Sequence, residues 1–216
     1  MQDSKPQKTL RLWTIQPLSI YEDLLKHGEV STFGSEIAND DPKHLLGYQW
    51  IINQMNKRIG LSPSPGQYPI WAWYQWIDHY QAKPDMRIYH LPKGEKHVRL
   101  TLEIPLSELL LSDFIEWNNV FSYQTAVMGD LDYIKSIPED ELQYLNEADD
   151  LFPDLPKPHQ DFIVRSWENI FIPATDKLFQ HILIDQQPWH DKRIQATFWT
   201  LKLSHVKKVE YFTGRH

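Results

Sequence analysis

Nine residues, Tyr68-Pro69-Ile70-Trp71-Ala72-Trp73-Tyr74-Gln75-Trp76, carry three tryptophans and two tyrosines between a glycine-proline loop and a charged turn. Extended backbone sends successive side chains to opposite faces, so Trp71 and Trp73 share one face while Ile70, Tyr74 and Trp76 share the other. Both faces are aromatic, and at least one has to be covered. The remaining face is either more core or the wall of a binding cleft.

A chain of 216 residues with 41% apolar and 13% aromatic content supports one sizeable core and not two. Residues 9–216 therefore read as a single domain behind a flexible polar segment, 1–8. A formal charge of -7 argues against nonspecific attraction to nucleic acid. The charge is uneven, because residues 130–161 hold ten acidic side chains against Lys135 and Lys157, whereas residues 189–216 hold six Lys or Arg against Asp191 and Glu210. Cysteine is absent, which removes disulfides, thiolate metal sites and a cysteine nucleophile. With no apolar run near the N-terminus long enough for a signal or membrane helix, the expectation is a cytoplasmic protein without membrane association.

Thr9 to Gln16 alternates as a strand, and Leu18 to His27 repeats its apolar residues at helical steps before Gly28. Pro42 to Ile59 predicts a second helix with a broad apolar stripe. Further strands are expected over 68–76, 86–90, 97–104, 194–203 and 206–212, and helices over 115–121 and 162–171. In the acidic stretch, Pro138 suits a helix start. This order favours an α+β domain, a mixed sheet with flanking helices, over a doubly wound parallel sheet. The chain has eight glycines but no phosphate-binding glycine loop, no Gly-x-Ser-x-Gly turn and no histidine pair with ligand spacing, so no metal is expected.

What remains for chemistry is aromatic faces, carboxylates and an arginine. Arg87, in Lys83-Pro84-Asp85-Met86-Arg87, either offers a two-pronged contact to phosphate or carboxylate or forms a surface pair with its neighbours. Asp113 either caps the segment that follows or holds a ribose hydroxyl or an arginine. Glu168, in Ser166-Trp167-Glu168, is either a solvated face residue or a partly buried carboxylate with a raised pKa. Gln195 and Thr197 present an amide and a hydroxyl on one strand face, a pair suited to hydrogen bonding and not to acid-base work.

Six ordered motifs resemble a bacterial family known as domain of unknown function 3841. They are Leu12-Trp13-Thr14-Ile15-Gln16, Tyr68 to Trp73, Lys83 to Arg87, Leu110-Leu111-Ser112-Asp113-Phe114 with Trp117, Ser166 to Phe171, and Ile194-Gln195-Ala196-Thr197. A more distant resemblance, in motif order, is to ADP-ribosyltransferase-like toxins of the DNA-modifying kind. It implies an ADP-ribosyltransferase-like fold and an NAD-binding toxin or defence effector acting on nucleic acid or protein, with an antitoxin as a partner. Thr197 stands where those proteins carry their catalytic glutamate, and Trp13 or its neighbours where they carry the first-strand histidine.

A threonine hydroxyl stabilises an oxocarbenium-like transition state far less well than a carboxylate. Under the transferase reading, Glu168 or Asp113 takes the catalytic role, and Thr14, Gln16, Trp71, Trp73, Arg87 and Gln195 hold NAD as substrate. The alternative is a noncatalytic module whose aromatic groove takes a nucleotide, peptide or partner protein. A third reading makes the tryptophans core alone.

Overall fold

The computed structural model describes residues 8–33, 44–76, 83–86, 91–126, 135–146, 149–172, 183–184, 187–188 and 192–215. In chain order the elements are β1 (Thr9–Pro17), α1 (Leu18–His27), β2 (Glu29–Val30), β3 (Thr32–Phe33), α2 (Leu45–Arg58), β4 (Gln67–Tyr68), β5 (Ile70–Gln75), β6 (Lys96–Pro105) and β7 (Leu110–Asp113). They continue with α3 (Trp117–Phe121), α4 (Lys157–Ser166), β8 (Phe171–Ile172), β9 (Leu183–Ile184), β10 (Gln187–Pro188), β11 (Ile194–Phe198), β12 (Leu201–Lys202) and β13 (Val206–Thr213). The fold is a single α+β domain. Its main sheet has seven strands in the order β13-β6-β1-β5-β11-β7-β8, and every described pairing is antiparallel.

Alternation makes β1 a strand and Pro17 ends it, since proline has no N–H to give to the ladder. The four apolar residues Leu18, Tyr21, Leu24 and Leu25 then fall at helical spacing, and α1 buries Tyr21 and Leu24. Gly28 stops the helix in the left-handed conformation, at φ 81°, with its N–H donating to the Leu24 carbonyl at 2.9 Å.

The sheet is covered on both sides. One face holds Leu12, Leu100, Leu111, Ala196 and Phe198 in a core that Leu24 of α1 closes. The opposite core gathers Trp50, Met55, Trp117, Phe162 and Trp167 from α2, α3, α4 and the turn after α4. Adjacent residues confirm the division: Ile70 and Leu111 belong to the first core, Trp71 and Leu110 to the second. Alternation had to produce that split.

Several local expectations are corrected. A strand that the alternation did not announce, β7 over Leu110–Asp113, closes a ladder between β11 and β8. The helix expected over 162–171 starts earlier, at Lys157, with proline in its first turn, and tightens to a 3-10 turn over Trp167–Ile170 before Phe171 becomes a strand. The strand expected over 194–203 breaks after Phe198 and resumes at Leu201. The expected strand at 86–90 lies almost wholly outside the described residues.

At the β6 and β13 edge, the polar side of β6 is buried as well. Arg99, only 7% exposed, meets Glu210 at 3.1 Å, donates to the Pro84 carbonyl and lies 5.1 Å from the Phe212 ring centroid. Lys83 and Lys208 also reach Glu210, at 2.9 and 3.3 Å. Burial pushes the Glu210 carboxyl up, but hydrogen bonds from Lys83, Arg99 and Lys208 outweigh it and hold the group down at about 2. A carboxyl depressed in the folded state adds stability above its ordinary pKa and loses it as pH falls toward the folded value. Glu210→Gln should therefore lower stability at neutral pH by about 1–2 kcal/mol, after allowance for screening by water. In urea unfolding, the gap between parent and variant should shrink as pH drops from about 4.5 toward 2. A gap that stays constant over that range would contradict the role assigned to this cluster.

Candidate functional site

β1 pairs with β6 along its whole length, from Thr9 opposite Pro105 to Pro17 opposite His97. With β5 it shares one register pair, Trp13 opposite Trp73. β5 meanwhile pairs with β11 over Gln195 opposite Trp73, Ala196 opposite Ala72, Thr197 opposite Trp71 and Phe198 opposite Ile70. Beyond Trp13 the two central strands part. Side chains bridge the gap: the Thr14 hydroxyl donates to the Trp71 carbonyl at 2.9 Å, and Gln16 Nε2 donates to Thr14 Oγ1 at 2.8 Å. Thr14 is 1% exposed, so this hydroxyl substitutes for a ladder bond in a water-poor place.

An open cleft of about 220 Å³ lies at the parting, lined by Thr14, Gln16, Thr32, Trp71, Trp73 and Gln195 together with Ile15, Pro69 and Ile70. Five of the six residues expected to hold a ligand thus come together, from three strands far apart in sequence. The sixth, Arg87, lies outside the described residues. Thr32 joins them unannounced, because only the fold of β3 against β4 carries it there.

The two tryptophans have different duties. Trp73 is 7% exposed and braced edge-on by Trp76 at 4.7 Å and Phe114 at 4.9 Å, so its ring is mostly core. Trp71 is half-buried, with Trp117 edge-on at 5.1 Å. The division of β5 into two faces holds for Trp71, Trp73, Ile70 and Tyr74, but Trp76 follows the end of the strand and turns onto Trp73. Among the described residues the Gln195 carboxamide has no hydrogen-bond partner, and no charged side chain lines the cleft. The described lining offers two uncharged amides and two hydroxyls beside apolar walls.

The two carboxylates expected to do chemistry sit elsewhere. Asp113 stands opposite Ile194, whose side chain belongs to the core beneath α1, so the register puts it on the face away from Gln195. Asp113 Oδ2 is held at 3.0 Å by Lys192, with both side chains at 6% exposure or less, while Oδ1 accepts from the Ile115 N–H at 2.8 Å. This is a turn bond two residues on and not a cap of α3, whose first residue is Trp117. Glu168 projects from the 3-10 turn after α4, 54% exposed, near Gln54 at 3.3 Å and Arg58 at 3.5 Å. Neither lines the cleft.

Lys192 was invisible as a partner in the sequence, where it belongs to a basic tail. A lysine just before a strand, two residues from an apolar Ile194 paired with an aspartate-bearing strand, is the signal that pairing alone reveals. Nearby, Ser112 accepts from Trp117 Nε1 at 2.8 Å, and Gln75 Nε2 donates to the Lys192 carbonyl at 2.7 Å. These bonds fix the floor on which Gln195 stands.

Residues 11–207 match a family described as domain of unknown function (DUF3841). The chain belongs to that family. No curated protein and no solved structure matches it. In this DUF3841 chain, five of the six motifs fall wholly on described residues, and from the sixth Lys83 donates to Glu210 while the Pro84 carbonyl accepts from Arg99. Among the described residues no helix is long and apolar enough to cross a membrane, and no cluster of three His, Asp or Glu could hold a metal ion.

Removing one member of a buried ion pair leaves the other uncompensated, at a cost of about 3–5 kcal/mol. Lys192→Met should destabilise the DUF3841 chain by about that amount, and Asp113→Asn by less, since the amide oxygen can still accept from Ile115. The double variant should cost clearly less than the sum of the two, measured by denaturant unfolding. Additive losses would mean that the pair is not coupled.

Proposed function

We propose that this protein binds a nucleotide in the cleft between β1 and β5, with NAD as the first candidate, through a heteroaromatic ring that carries an amide or amine. The observation that supports this reading is the convergence of Thr14, Gln16, Trp71, Trp73 and Gln195 on one open cleft, with the Gln195 carboxamide uncommitted. A volume of about 220 Å³ suits one ring and its substituent, below the 300–1,000 Å³ usual for a whole drug-sized ligand. The rest of a dinucleotide would lie across the surface. Trp71 supplies an aromatic wall, and a planar carboxamide on the ligand can pair with the carboxamides of Gln195 and Gln16.

The catalytic form of this reading, an ADP-ribosyltransferase-like effector modifying nucleic acid or protein, needs a carboxylate beside the ribose. Asp113 is committed to Lys192 and Ile115, and Glu168 to the Arg58 side of the molecule. Their placement favours binding without turnover.

Titration of the full chain with NAD, nicotinamide mononucleotide and ATP, followed by calorimetry, tests the proposal. Saturable binding of at least one, weakened about tenfold in Gln195→Leu by the loss of one hydrogen-bonding group, is expected. Chromatographic assay should show no release of nicotinamide from NAD. Release that Glu168→Gln or Asp113→Asn abolishes would establish the transferase reading instead, and absence of binding by all three ligands would defeat both.

A further inference from the structure

The main sheet ends in two unequal edges. On one side β8 is two residues long; on the other β13 runs for eight, Val206–Thr213, and among the described residues it pairs with β6 alone. Every second residue of such a strand directs its N–H and C=O outward, a row that another extended chain can continue as a ladder. Proteins keep open edges from indiscriminate pairing with bulges and lysines, and β13 has both. Its register against β6 shifts between Val206 and Lys208, and Lys207 and Lys208 are exposed. From Lys208 to Thr213 the register is regular.

The two faces of this edge differ. Lys208 and Glu210 stand opposite Thr101 and Arg99, on the polar side of β6, whereas Val209 and Tyr211 stand opposite Leu100 and Val98, on the side of the core that Leu24 closes. On the polar side Lys83, Arg99 and Lys208 converge on Glu210, three cations on one carboxylate, and Lys207 adds a cation next to Lys208 in sequence. Glu210 is surrounded by those cations, so a neighbouring strand meets a positive edge, on a chain whose net charge is -7. On the other side Tyr211 is 65% exposed, its ring edge-on to Tyr21 of α1 at 6.2 Å. It stands out to solvent beside the half-buried Val209.

We infer that the β13 edge takes an extended acidic segment of a partner protein as an added strand, with carboxylates at alternate positions on the side of Lys208 and Lys83 and apolar side chains between them on the side of Val209 and Tyr211. Backbone hydrogen bonds to β13 supply affinity, and the alternation supplies selectivity. Opposite charges facing each other across a ladder stabilise it, and like charges oppose it. A basic strand, or a second copy of this chain with the same excess of cations, is therefore turned away by the lysines that admit an acidic strand. A single-stranded nucleic acid answers the charge but not the ladder, because its backbone carries acceptors without a row of N–H donors.

The ¹⁵N-labelled full chain is titrated with a capped peptide of strand length that alternates glutamate with valine, with its lysine counterpart, with the glutamate peptide N-methylated in each of the two alternate phases, and with oligothymidylate. The glutamate peptide should shift the backbone amides of Lys208 to Thr213 saturably, with Kd below about 1 mM, and the lysine peptide should not. One methylated phase should bind and the other should fail, since only one set of N–H groups faces β13. Lys208→Glu, which leaves Lys83 and Arg99 on Glu210 at 2.9 and 3.1 Å, should weaken the glutamate peptide at least about threefold. The inference is overturned by β13 amides that stay unmoved at about 5 mM peptide, by equal affinity for the glutamate and lysine peptides, or by both methylated phases binding alike. Tighter binding of oligothymidylate at the same amides would make the edge a nucleic-acid surface instead, and shifts of those amides with protein concentration alone would assign it to a second copy.

Discussion

β5 is buried on both faces, yet it shares a full ladder with only one neighbour, and the rest of the molecule is arranged around that imbalance. Toward β11 it pairs along its length; toward β1 it holds a single register pair at Trp13 and Trp73. Unpaired backbone groups in a covered strand are costly unless something else satisfies them. Thr14 does part of this with its hydroxyl on the Trp71 carbonyl, and Gln16 steadies Thr14 in turn. The same opening that removes ladder bonds creates the cleft. Structure and candidate site are one feature.

Charge is managed at the margins of that feature. Asp113 and Lys192 neutralise each other under the β11 and β7 end, and Arg99 and Glu210 do so under the β6 and β13 end. With these groups spent on one another, the described residues that line the cleft between them are neutral hydrogen-bonding and apolar side chains. A neutral cleft rewards a ring with an amide or amine more than a bare phosphate. The electrostatics thus explain why the flanks stay folded without a charge from either pair entering the opening.

Much of this was legible in the sequence, for reasons that can be stated. Strict alternation gave β1 and β6, helical spacing with a terminal glycine gave α1, and the aromatic run gave β5 with its two faces. Thr14, Gln16, Trp71, Trp73 and Gln195 were readable as one group because motif order set polar residues beside aromatics, whereas their convergence on one cleft depends on how β1, β5 and β11 pair. The role of Asp113 was half legible: its turn bond is local, whereas its bond to Lys192 spans 79 residues and depends on the β11 and β7 register. Arg99 falls on the polar side of the alternation in β6. It is buried because Pro84 and Glu210, neither of them near it in sequence, close over that face.

Hydrogen exchange along β1 tests the parting of the strands directly. Amides of Thr14 to Gln16 directed at β6 should be strongly protected, and those directed at β5 should exchange fast, with protection on that side recovering at Trp13 and Trp73. Uniform protection on both sides of β1 would mean a closed ladder with β5, and then there is no cleft at this position for any ligand to enter.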